Sequence, residues 1–136
     1  MPDPLNILLV EDHDPLRQIL TELLAERGFR IFSAEHGEHA LELARSVQPD
    51  LGLLDMHLPG RTGLEVLLSI QREIGPMPTI MMSGEATQSE REAALQAGVF
   101  EFLRKPIGFD HLNHTLDLLI QNHFGSPPDS PRANGA

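Results

Sequence analysis

Residues Leu51–Gly60 read LGLLDMHLPG, an apolar run that ends in a single carboxylate, Asp55, and breaks at Pro59-Gly60. A short apolar run closed by a turn signal is the pattern of a buried strand, and a strand covered on both faces belongs in a parallel sheet. Asp55 then stands at its C-terminal end. Ligands of open parallel sheets bind beyond the carboxyl ends of the strands, which makes that position a candidate for chemistry. A strand-final aspartate is also common as a turn residue, so the flanking sequence has to decide.

Upstream, Asn6–Val10 (NILLV) is a second apolar run, and it ends in Glu11-Asp12. Asp14 reads as an N-cap with Pro15 at the first helical position. Leu16, Ile19, Leu20, Leu23 and Leu24 then recur at helical spacing until Gly28. Phe29–Ala34 (FRIFSA) predicts a strand, and Glu38–Val47 a helix with Ala40, Leu41, Ala44 and Val47 on one face. Its start at Gly37 is weakly marked. Within the opening stretch, Gly52 allows close approach of a neighbouring element.

Downstream, Thr62–Glu73 reads as a helix closed by Gly75-Pro76, Thr79–Met82 (TIMM) as a strand ending at Ser83-Gly84, and Ser89–Ala97 as a small-residue helix stopped by Gly98. Val99–Leu103 is the fifth strand, followed by Arg104-Lys105-Pro106, and Phe109–His123 is the last helix. Five βα units predict an α/β fold: a doubly wound parallel five-stranded sheet with right-handed crossovers and helices on both faces. Residues 4–123 form the expected domain and residues 124–136 a flexible tail or linker.

At 136 residues the chain suits one domain with a full core. Six Phe and no Trp or Tyr leave that core to Leu, Ile, Val, Met and Ala. The absence of cysteine excludes disulfides and thiolate sites, and fits a cytoplasmic location. A formal charge of −10 argues against nonspecific nucleic-acid binding and against docking on an anionic membrane, and favours a cation or a basic partner. No secretory leader or transmembrane run is expected.

The strand ends deliver Glu11 and Asp12, Asp55, Ser83 and Lys105 to one edge of the sheet. Carboxylates brought together there repel by about 3 to 4 kcal/mol per pair at about 4 to 5 Å. A cation relieves that cost, and the hard divalent ion suited to a few carboxylates and several waters is Mg²⁺, with Mn²⁺ second.

This constellation resembles the receiver domain of two-component response regulators. The match rests on Glu11-Asp12 after the first strand, Asp55 with Pro59-Gly60 after the third, Ser83-Gly84 after the fourth and Lys105-Pro106 after the fifth. GLEVL before Leu68 and AGVFEFLRKP ending at Pro106 add to it. The resemblance implies a flavodoxin-like sheet of strand order 2-1-3-4-5 and a cis Lys105-Pro106 bond. It implies Asp55 as phosphoacceptor from a sensor histidine kinase or phosphotransfer protein, with Glu11, Asp12, Asp55 and the backbone carbonyl of His57 around the metal. Lys105 would pair with Asp55 and then with the phosphoryl group. Ser83 would move toward that group, and Phe102 on the fifth strand would turn into the space vacated, with a plain core phenylalanine as the alternative reading. The surface of the fourth helix, fifth strand and fifth helix would then control a partner protein or an output domain, as a monomer or a phosphorylation-dependent dimer. No enzymatic activity is implied beyond its own phosphorylation and autodephosphorylation.

Rival readings are an aspartyl-nucleophile phosphohydrolase, a nucleotide- or flavin-binding protein and a phosphorylation-independent scaffold of the same fold. The hydrolase wants an acid two residues after the nucleophile, where this chain has His57. No Gly-rich phosphate loop follows the first strand. His36/His39 and His111/His114 read as surface histidines. His57 and Glu85, each two residues past a site residue, are expected to flank the phosphoryl group and to tune its hydrolysis.

Overall fold

The computed structural model describes residues 4–125. In chain order the elements are β1 (Asn6–Val10), α1 (Asp14–Glu26), β2 (Arg30–Ala34), α2 (Gly37–Val47), β3 (Leu51–Asp55), α3 (Gly63–Glu73), β4 (Thr79–Ser83), α4 (Gln88–Gln96), β5 (Glu101–Arg104) and α5 (Phe109–Phe124). The strands form one parallel sheet of order β2-β1-β3-β4-β5. This is the doubly wound, flavodoxin-like fold expected. β3 lies at the centre and every residue of it is buried, which explains its unbroken apolar run.

Period-two alternation divides the core into two layers. Leu8, Val10, Leu54, Met81 and Phe102 face one way and pack with Ala40, Leu41, Val66, Ile70 and Ala94 of α2, α3 and α4. Ile7, Leu9, Leu53, Ile80, Met82 and Leu103 face the other way, against Leu20 and Leu24 of α1 and Leu112, Leu116 and Leu119 of α5. At Gly52 a Cβ would lie 2.6 Å from the Met77 side chain, so the missing side chain is the space that Met77 fills.

The helix starts correct several expectations. Asp14 is the first residue of α1 and not its cap: His13 takes the N-cap conformation without a side-chain bond, and the Asp14 carboxylate accepts instead from Arg17 three residues on. Of the apolar stripe on α1, Leu20 and Leu24 are buried, whereas Ile19 is 44% and Leu23 37% exposed. One i, i+4 line meets the sheet, and the residues just before it turn away. α2 starts at Gly37, capped by His36, whose Nδ1 accepts the His39 N–H at 3.2 Å. Thr62 and Thr87 cap α3 and α4 in reciprocal capping boxes with Glu65 and Glu90. β5 begins at Glu101, two residues later than expected, and β4 includes Ser83. α5 extends through Phe124, and the tail expected after it lies outside the described residues beyond Gly125. Among the described residues no helix is long and apolar enough to cross a membrane.

Candidate functional site

Strand parity decides which end residues meet. Glu11 follows Leu9, Asp55 follows Leu53 and Lys105 follows Leu103, each two residues on, so all three continue the face covered by α1 and α5. Lys105 Nζ lies 2.9 Å from Asp55 Oδ2 and 2.8 Å from Glu11 Oε1. The other Asp55 oxygen accepts the His57 N–H at 3.1 Å, and the other Glu11 oxygen accepts the His13 N–H at the same distance. Lys105 approaches Glu11 Oε1 off the direction of a hydrogen bond, leaving a buried carboxylate oxygen with no directed donor. Asp12 is exposed at the rim. Each of Glu11, Asp12 and Asp55 places an oxygen within 4.8 Å of the others, forming the one group of metal-ligating side chains among the described residues. Hard carboxylate donors around an under-used oxygen suit a hard divalent cation.

Ser83 and Phe102 have the opposite parity and lie on the α4 side. Ser83 Oγ accepts the Glu85 N–H at 3.1 Å and lies 3.2 Å from His57 Nδ1. Phe102 is 8% exposed, its ring covered by the Arg91 guanidinium at 5.1 Å. Glu85 meets Ser83 through its backbone. Glu90 and Arg91 are the residues that sequence reading missed; Thr87-x-x-Glu90 is legible as a capping box, but nothing in it points to His57.

The loop between Asp55 and α3 is drawn tight. Gly60, at φ +81°, takes directly after Pro59 a backbone conformation that favours glycine, and His57 bridges Thr62 across the loop. Gly63 N–H donates to Met56 O at 2.7 Å, and a Cβ on Gly63 would stand 2.2 Å from the Asp55 carbonyl oxygen.

Burial pushes the Glu11 carboxyl above its ordinary range, and the charge of Asp55 adds to this; Lys105 and the His13 N–H offset only part. Burial works against the Lys105 ammonium, but its two carboxylate partners overcome that and hold its pKa above the usual value.

The model of the response regulator receiver domain matches residues 7–117. The chain belongs to this family. The receiver domain is 33% identical over 126 residues to the KDP operon transcriptional regulatory protein KdpE of Escherichia coli, covering 93% of this chain and 56% of that protein. It therefore spans little more than half of that relative. The receiver domain of a LuxO repressor protein from Vibrio parahaemolyticus superposes with a TM-score of 0.82 at 28% identity, covering 88% of this chain and 92% of the other. The non-phosphorylated HemR receiver domain of Leptospira biflexa gives 0.81 at 28% identity, covering 93% and 99%.

One consequence for this receiver domain concerns pH. A carboxyl whose folded pKa is raised binds its proton more tightly in the folded state, so its contribution to stability is fully present below the unfolded value. That contribution is lost as pH rises through the folded one. For Glu11 the loss begins near 4.5. In metal-free buffer, Glu11→Gln is expected to flatten the fall in urea midpoint above that pH. An unchanged pH profile in the variant would contradict this.

Proposed function

We propose that this receiver domain is a phosphorylation-activated signalling switch with Asp55 as phosphoacceptor. The observation that carries the reading is the buried Asp55 carboxylate, 2.9 Å from Lys105 Nζ and grouped with Glu11 and Asp12. The donor is a phosphohistidine on a sensor histidine kinase or phosphotransfer protein. An Asp55 oxygen attacks phosphorus, forming an O–P bond as the N–P bond of the donor breaks. The departing imidazole nitrogen keeps the electron pair and takes a proton.

Glu11, Asp12, Asp55 and the backbone carbonyl of His57 would hold Mg²⁺ or Mn²⁺, which supplies charge neutralisation for the phosphoryl oxygens. Lys105 orients the carboxylate before transfer and pairs with the phosphoryl group after it. An acyl phosphate carries about one more negative charge than the carboxylate it replaces, and Ser83 is placed to donate to it. Phe102 then turns inward further, changing the surface of α4, β5 and α5 that addresses a downstream protein or output domain. The domain works in the cytoplasm, as a monomer or a phosphorylation-dependent dimer, and catalyses only its own phosphorylation and dephosphorylation.

The test is intact-mass measurement after incubation with acetyl phosphate and Mg²⁺, with a chelator control. The expected result is one phosphoryl increment, lost with the chelator, on a peptide containing Asp55. No increment, or turnover of a generic phosphate ester, overturns the switch reading; the latter favours a phosphohydrolase.

A further inference from the structure

The contacts at Ser83 continue beyond the phosphoacceptor. On the far side of the His57 ring, Nε2 lies 3.1 Å from Glu90 Oε2 and 3.3 Å from Oε1. An ionised carboxylate only accepts, so Nε2 carries the hydrogen, and in that tautomer Nδ1 is left as an acceptor. The Ser83 hydroxyl then donates to Nδ1, while its oxygen accepts the Glu85 N–H. The result is a continuous chain from Ser83 through His57 to Glu90.

Glu90 is also built into the start of α4. Thr87 N–H donates to Glu90 Oε1 at 2.9 Å, and Glu90 N–H donates to Thr87 Oγ1 at 3.1 Å. The next residue, Arg91, lies over Phe102. Two adjacent side chains of the first turn of α4 thus hold the two residues, Ser83 and Phe102, that occupy the α4 side of the strand ends.

We propose that Glu90 is a positioning residue which, through His57, holds the Ser83 hydroxyl in its resting orientation, so that donation by Ser83 to a phosphoryl group on Asp55 requires the first turn of α4 to release. This rests on the phosphoacceptor reading and names how that site is coupled to α4. A contact made only in one of two states biases the equilibrium toward that state, so deleting it favours the other. The chain therefore opposes phosphoryl capture at rest.

Titration with beryllofluoride and Mg²⁺, a phosphoryl mimic that avoids hydrolysis, tests the proposal. Glu90→Ala and His57→Ala are each expected to lower the half-saturating concentration by about fivefold, the weight of one hydrogen bond, and the double variant no further. Glu90→Gln sets an amide N–H against Nε2, which reverses the ring tautomer and frees the Ser83 hydrogen, and should lower the value as Glu90→Ala does. Thr87→Ala weakens the cap but spares His57, and should match the parent protein. An unchanged value in Glu90→Ala overturns the proposal, as does an equal gain in Thr87→Ala, which would assign the effect to fraying of α4. A second readout needs no phosphoryl group: in the resting protein, His57→Ala should speed amide exchange at residues 88–91 by about fivefold. Unchanged exchange there overturns the coupling. Failure of the parent protein to bind beryllofluoride would instead count against Asp55 as phosphoacceptor, with the exchange measurement still deciding the role of Glu90.

Discussion

Asp55→Asn is expected to abolish phosphorylation by acetyl phosphate while leaving the fold intact. The amide is close to isosteric with the carboxylate, so the packing at the end of β3 survives and its carbonyl oxygen can still accept from the His57 N–H or from Lys105. What disappears is the nucleophile, since an amide oxygen does not form a stable acyl phosphate here, and a loss of at least about 10³-fold is the scale for removing the group that makes the covalent bond. Stability should change little, because two effects oppose one another. Lys105 loses one of its two ionised partners, yet Glu11 and Asp12 lose a neighbouring negative charge that costs each about 3 to 4 kcal/mol before Lys105 or a cation is counted. Intact mass and a thermal melt of the same sample check both parts. A phosphoryl increment in the variant would move the phosphoacceptor elsewhere, and a collapsed melt would mean that Asp55 is chiefly structural.

Gly63→Ala carries the largest expected structural effect. An added Cβ would lie 2.2 Å from the Asp55 carbonyl oxygen and 3.0 Å from Met81 Sδ. The nearer atom is backbone, so no side-chain rotation relieves the clash. Either α3 retreats or the last residue of β3 is displaced. Overpacking of this kind costs about 3 kcal/mol, and in a domain of this size that lowers the melting temperature by about 10 °C. Phosphorylation should slow in the same variant, because the displaced backbone carries the Asp55 carboxylate away from Lys105. Differential scanning calorimetry and the rate of acetyl phosphate labelling provide the two measurements. A melting temperature within about 2 °C of the parent protein would show that the loop yields freely.

Much of this molecule is legible in its sequence because its signals are local and repetitive. β1 and β3 match their sequence-based bounds because each apolar run is closed at once by acid, at Glu11 and at Asp55. Glu11, Asp55 and Lys105 could be placed on one edge because parallel strands bring all their C-terminal ends together. The errors fall at element ends, at the start of β5 and the end of β4 as well as at helix starts. Asp14 has the composition of a cap but pairs with Arg17 instead, and His36 caps α2 without being a usual capping residue. In both cases a side chain had two partners within reach, and propensity does not rank them.

The amino-acid sequence by itself determined the five βα units, the parallel sheet and the set of strand-end residues, since periodicity and turn chemistry act within a few neighbours along the chain. Only the tertiary structure decided how that set divides. Strand parity and register put Glu11, Asp55 and Lys105 together on one face and leave Ser83 and Phe102 on the other. It also decided that His57, two residues beyond Asp55, spans to Ser83 and Glu90 at separations of 26 and 33 residues. Such contacts depend on where α4 packs against the loop after β3, a placement set by burial of Ala94 and by the tight Gly63 approach, and no local pattern in the chain encodes it.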